Sequence, residues 1–205
     1  MKITMKGDRK AEILIYEDIG ESFWGGVTAK SFAKELKALG DLDEINVRIN
    51  SVGGDSWDAI AIHNTLARHP AEVSVDIDGI AASAATFVAM AASPGKLRMA
   101  ENADFMIHRS WAFAAGDRDE MKRMAGRLED LDETQVKTYA KRAKVSNEEI
   151  EAMLDAETWF TAEEALEAGF VDEVTPALKV AASLDLTKFH NTPPRVLQRF
   201  QCKGD

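Results

Sequence analysis

Isoleucine and valine occupy every second position in two stretches, Ile45, Val47, Ile49 and Val73, Val75, Ile77. A period of two predicts half-buried strands over 45–50 and 73–78. A third strand is expected from Ile13 to Ile19 and a fourth over Phe105-Met106-Ile107-His108, after the Pro94-Gly95 turn. Between them the apolar spacing widens to three and four. Phe32, Leu36 and Leu39 predict a helix over Thr28 to Leu39, and two more are expected from Ser56 to Arg68 and from Ser83 to Ala92. Gly53-Gly54 and Gly79 punctuate the passages from strand to helix. Strands alternating with helices through short loops call for a mostly parallel sheet with crossover helices. The fold class expected is α/β.

The pattern changes after His108. Asp117 to Ala143 predicts one long charged helix whose apolar positions, Met121, Met124, Leu128, Leu131 and Tyr139, form a narrow stripe. Such a stripe fits a helix lying across its own domain or one that meets a second subunit. Ser146-Asn147-Glu148-Glu149 and Thr161-Ala162-Glu163-Glu164 both carry the capping-box spacing that opens a helix, and Gly169 suits the end of the second. From Ser183 the periodicity fades around Thr192-Pro193-Pro194, so the chain divides into a domain over 1–182 and a loosely ordered tail over 183–205.

Composition narrows the function classes. With 25 Lys plus Arg against 35 Asp plus Glu, the net charge of −10 speaks against a phosphate-backbone partner, so no nucleic acid is expected. The single cysteine, Cys202, excludes an internal disulfide framework and a multi-cysteine metal site. The apolar run Ile80 to Ala92 falls short of a membrane span, and Ile13 to Tyr16 is too short a run for a signal peptide. A cytoplasmic protein without membrane contact is expected.

In an open α/β sheet, ligands bind beyond the carboxyl ends of the strands. Gly53-Gly54, Ser83 and His108 follow three successive predicted strands, so they can converge on one side. Ser83, flanked by small residues, is a candidate nucleophile with backbone N–H donors beside it; a plain helix N-cap is the alternative. His108 is a candidate general base or a structural histidine. His63, His69 and His190 read as surface residues, and no ligand spacing suggests a metal. The Gly-Gly turn lacks the residues of a P-loop, so it offers a backbone donor to an oxyanion or an edge to an extended peptide. Trp57, Trp111 and Phe113 are placed to line a groove or to pack at an interface.

Taken together, Ile49-Asn50-Ser51-Val52-Gly53-Gly54, Gly79-Ile80-Ala81-Ala82-Ser83-Ala84 and Met106-Ile107-His108 resemble three ordered segments of the ClpP family of self-compartmentalised serine proteases. The likeness runs from about Ile45 to Val174. It implies a crotonase/ClpP-like superhelix of strand-turn-helix units with a protruding long helix. It also implies a serine endopeptidase in which Ser83 attacks, His108 moves the proton, and the N–H groups of Gly54 and Ala84 hold the oxyanion. No cofactor is implied. Polypeptide substrates and homo-oligomeric, heptameric rings are, with two rings joined through the helix expected at 117–143.

The departures from the family pattern are informative. The acid that orients the histidine is usually an aspartate; here Trp159-Phe160-Thr161-Ala162 aligns Glu157 with it, and Asp155 stands as the alternative. Val52 replaces a proline, and Ala84-Ala85 replace a larger residue and a glycine. Phe23-Trp24-Gly25-Gly26 does not resemble the family's axial loop, which speaks against docking to an AAA+ unfoldase. The variant resembles ClpP-like proteases of phages and prophages, which trim capsid and scaffold proteins during head maturation. Three rivals stand beside this reading: a crotonase-type acyl-CoA hydratase or isomerase, a non-catalytic ring scaffold, and a Ser–Lys dyad using Lys96 as base.

Overall fold

The computed structural model describes residues 1–21, 26–178 and 185–201. Phe23, Trp24, Gly25, the 182/183 boundary and Cys202 lie outside the described residues. The chain runs β1 (Lys2–Met5), β2 (Lys10–Ile15), α1 (Ala29–Ala38), β3 (Glu44–Ser51), α2 (Ser56–Ala67), β4 (Glu72–Ala82) and α3 (Ala84–Ala89). It continues through β5 (Leu97–Ala100), β6 (Asp104–Ile107), α4 (Arg118–Tyr139), α5 (Asn147–Asp155), β7 (Thr158–Phe160), α6 (Ala162–Glu167), β8 (Glu173–Thr175) and α7 (Pro194–Gln201).

One eight-stranded sheet orders its main path β1-β2-β3-β4-β5-β8, with β6 and β7 branching from β4. β2 through β5 and β8 pair in parallel, while β1 runs antiparallel to β2. The predicted alternation explains how this sheet is covered. Ile45, Val47 and Ile49 of β3, with Val73, Val75 and Ile77 of β4, are buried against the helices. The residues between them line the opposite face in polar pairs. Arg48 donates to Asp78 Oδ1 and Oδ2 at 2.6 and 2.8 Å, and Arg98 to Asp76 at 2.7 and 2.9 Å. Tyr16 adds its hydroxyl to Asp78.

Strand β4 is longer than the alternation predicts, because Gly79 lies inside it. From Asp78 to Ala82 every residue is buried, so the period of two that marks a half-covered strand disappears. Its first part pairs with β5 (Val75 opposite Leu97) and its last part with β6 (Ile80 opposite Asp104). The sheet therefore forks at β4. The main core lies between the sheet and its helices; a second cluster beside the fork joins Val52, Ile80, Met106 and Trp159 to Leu186, Phe189, Val196 and Phe200.

The capping boxes read from the sequence are present at Ser146/Glu149 and Thr161/Glu164, and a third opens α4 at Asp117/Glu120. Helix α4 buries Leu131, Val136 and Tyr139 near its end, whereas Met121 near its start is exposed. Within the stretch read as a loosely ordered tail, residues 185–201 carry α7. Arg195 and Arg199 of that helix reach Asp104 at 3.3 and 2.5 Å. Among the described residues no helix is long and apolar enough to cross a membrane.

Candidate active site

The fork sets the site. Parallel pairing of Ala82 with Met106 brings the residues that follow each strand together, and Ser83 N donates to Met106 O at 2.9 Å. Ser83 sits at φ 55°, ψ −128°, and its side chain caps nothing in α3, which sets aside the plain N-cap. A non-glycine residue in that region stores about 1–3 kcal/mol of strain. What holds it is a hydroxyl relay: Thr86 Oγ1 donates to Ser83 O at 2.6 Å, so the Tyr139 hydroxyl, 2.6 Å away, donates to Thr86. The end of α4 thus braces the turn at Ser83.

Freed from capping, Ser83 Oγ lies 2.7 Å from His108 Nε2. On the other side of the ring, His108 Nδ1 faces Glu157 Oε2 at 3.9 Å. That is ion-pair distance, longer than a hydrogen bond, and such contacts are often loose before substrate binds. Burial holds the His108 imidazole below its ordinary pKa, with Lys188 and His190 acting in the same sense and Glu157 and Asp132 opposing. The neutral imidazole that a general base requires is therefore the favoured form.

The two candidate acids separate cleanly. Glu157, at φ 48° just past α5, turns inward and is 7% exposed. Asp155, whose side chain is 65% exposed, instead accepts from Arg109 Nε at 2.7 Å. Lys96 pairs with Glu72 at 3.1 Å and precedes β5 beside the start of β4. Ser83 lies at the other end of that strand, so at a strand rise of about 3.3 Å per residue Lys96 is far out of reach.

Gly53-Gly54 lies between Ile19 and the Ser83 turn. A Cβ on Gly53 would stand 2.5 Å from Ala82 O and 2.7 Å from Ala84 N, so only glycine permits this approach. Ile19 N donates to Gly53 O and Asp55 N to Ile19 O, each at 2.8–2.9 Å. In that parallel bridge the Gly54 N–H points away from Ile19. The Ala84 N–H opens α3 at its amino end, where helix donors lack an internal acceptor.

A groove of about 430 Å³ runs past these groups, lined by Gly54, Trp57, Ser83, His108, Trp111 and Gln135. Phe113, 91% exposed, stacks edge-on against Trp111. His63 and His69 are half-buried rather than surface residues, because His63 Nδ1 meets Phe87 O at 2.9 Å and His69 Nδ1 accepts from Ala71 N; His190 is exposed. Sequence reading missed Asp132 and Gln135 of α4, which bind Ser110 N and Ser110 Oγ at 2.8 and 3.2 Å and so fix the loop after His108. It also missed the two backbone donors that reach Glu157 from His190 and Asn191. Neither signal is local in sequence.

Known proteins share this arrangement of elements. A family model described as Clp protease matches residues 2–177. The ATP-dependent Clp protease proteolytic subunit 2 of Mycolicibacterium paratuberculosis is 31% identical over 139 residues, covering 68% of this chain and 70% of that protein. The proteolytic subunit 3 of Streptomyces coelicolor is 32% identical over 155 residues, covering 74% and 71%. Among solved structures, a ClpP1 point mutant from Listeria monocytogenes superposes with a TM-score of 0.65 at 26% identity, over 80% of this chain and 91% of that one. The α/β sheet and its fork are thus a ClpP-like, crotonase-type fold, and this chain belongs to the Clp protease family.

Proposed function

We propose that the protein is a serine endopeptidase in which Ser83, His108 and Glu157 act as a triad. The observation that carries this reading is the 2.7 Å contact between Ser83 Oγ and His108 Nε2 on a serine released from capping. Ser83 Oγ bonds to the peptide carbonyl carbon while His108 Nε2 takes the hydroxyl proton. The carbonyl oxygen becomes an oxyanion held by the N–H groups of Gly54 and Ala84, each such donor being worth about 10²–10³ in rate. Collapse breaks the C–N bond, and the leaving amine takes the proton back from His108. His108 then takes a proton from water, whose oxygen bonds to the acyl carbon; the bond to Ser83 Oγ breaks, His108 returns the proton to that oxygen and the carboxylic acid product leaves. Glu157 orients the imidazole and stabilises its charged form.

The substrates of this reading are polypeptides held extended in the groove beside Trp57 and Trp111. Its assembly is a homo-oligomeric ring of ClpP type, seven copies by resemblance, with a second ring meeting the exposed start of α4. The biological role proposed is head maturation in a phage or prophage, supported by the sequence's departures at Val52, Ala84-Ala85 and Glu157. An unfoldase partner has no support in the segment 23–26.

The test is intact mass after treatment with a fluorophosphonate probe. One adduct per chain, mapped to Ser83 and absent from Ser83→Ala and His108→Ala, is expected. An assembled wild-type protein that takes no adduct would overturn the reading in favour of the scaffold or acyl-CoA alternatives. Labelling retained in His108→Ala would sink the triad.

A further inference from the structure

The Glu157 carboxylate is not held by its own neighbourhood in sequence. Trp159 Nε1 is a long 3.4 Å from Oε1. The close donors are His190 N, 3.0 Å from Oε2, and Asn191 N, 2.6 Å from Oε1, lying 33 and 34 residues downstream. Both stand beyond residue 177, where the match to the family model ends. We infer that residues 185–201 form a positioning strap whose two backbone N–H groups fix the Glu157 carboxylate against His108. The inference rests on the triad reading above and extends it to the part of the chain outside the family match.

Three independent contacts seat the strap. Asn191 Nδ2 donates to Ala156 O at 2.9 Å, immediately before the acid. Phe189 stands edge-on to both Trp159 and His108, with ring centroids at 5.4 and 5.7 Å, so it covers the imidazole as well. Arg195 and Arg199 of α7 pair with Asp104, which is only 1% exposed. Glutamate has one more rotatable bond than aspartate, so an acid of this length needs an outside constraint to present one geometry. Charge-assisted bonds from two consecutive main-chain donors supply it without adding a titrating group.

The strap also sets the surroundings of His108. Glu157 from the α5–β7 turn and Asp132 from α4 attract a proton to the ring, whereas Lys188 and His190 of the strap repel it and Phe189 excludes water. Arg109 beside the ring is engaged by Asp155 and, at 3.6 Å, by Asp132. Displacing the strap removes two repelling groups and the apolar cover together.

The experiment compares full-length wild type, Asn191→Pro, which deletes the N–H donor, and Asn191→Ala, which keeps it. On a fluorogenic peptide, Asn191→Pro is expected to lose about 10- to 100-fold in kcat, the range for a hydrogen bond to a charged group, with KM within about threefold. Asn191→Ala keeps the N–H but loses the side-chain bond to Ala156 O, so its kcat should fall by only about 2- to 10-fold, clearly less than that of Asn191→Pro. In parallel, the His108 imidazole is titrated by NMR in wild type and Phe189→Ala, where its midpoint should move up. A folded Asn191→Pro protein that turns over like wild type would overturn the inference while leaving the triad standing. If Asn191→Pro does not fold, the titration decides alone, and an unmoved midpoint in Phe189→Ala overturns it. A wild type that the fluorophosphonate does not label would instead remove the triad reading, and the role of the strap with it.

Discussion

The two halves of β4 differ in what covers them. Over its first half, Val73, Val75 and Ile77 enter the core, while Asp76 and Asp78 point into a ladder of arginine pairs on the other face. Over its second half, from Gly79 to Ala82, both faces are buried and the strand turns from β5 to β6. The first half is scaffold, stabilised by pairs that water still reaches through the arginines. The second half is buried on both faces and leads into the strained Ser83 of the proposed triad. A change of covering along one strand thus marks where the scaffold leads into the candidate site, and substitutions in the two halves should fail differently.

The largest effect is expected from Ser83→Gly at the end of the second half. Removing the proposed nucleophile should lower kcat by about 10⁴-fold or more, while relief of the positive φ leaves stability unchanged or raises it by up to about 1 kcal/mol. Loss of stability alongside activity would show that the strain at φ 55° is smaller than the entropy glycine adds to the unfolded chain. In the first half the pattern should reverse. Arg48→Ala strands Asp78, a buried carboxylate, and should cost about 2 kcal/mol in a denaturant melt. That figure is discounted for the partly exposed guanidinium, and fluorophosphonate labelling at Ser83 should persist. Labelling that falls with Arg48→Ala would mean the halves are coupled.

Smaller effects sharpen the contrast at the site. Burial favours neutral His108, so the acid limb of the kcat/KM profile should have its midpoint below the ordinary histidine value of 6.5. A limb above it would show that the opposing pull of Glu157 and Asp132 wins. The smallest change is expected from Asp155→Asn, which removes only a solvent-screened pair with Arg109. The denaturant midpoint should not move measurably, and kcat should change by less than about twofold. A hundredfold loss there would exchange the roles of Asp155 and Glu157.

Much of this was legible in the chain itself. The half-covered strands announced themselves by their period of two, and the capping boxes at Ser146 and Thr161 open the helices expected of them. The fork was not legible, because residues buried on both faces show no alternation and Gly79 reads as a turn when it is strand interior. β5, β7 and β8, at three or four residues each, are too short for any period to emerge. At the site, Ser83, His108 and the Gly53-Gly54 turn could be picked out by their places after strands. The different surroundings of Glu157 and Asp155 come from a positive φ and from Arg109, neither visible two residues apart in a line of acids. Contacts from His190 and Asn191 close a loop of more than thirty residues, and no local pattern encodes such a closure.

Among the described residues Asp104 waits longest for its side-chain partners. Arg195 and Arg199 lie 91 and 95 residues further along the chain, so on the ribosome this carboxylate is made well before either arginine that pairs with it. Translation order then assigns a sequence to the proposed triad: Ser83 and His108 emerge first and Glu157 next. The two N–H donors inferred to steady Glu157 follow at residues 190 and 191, and the arginines that seat their strap come last, at 195 and 199.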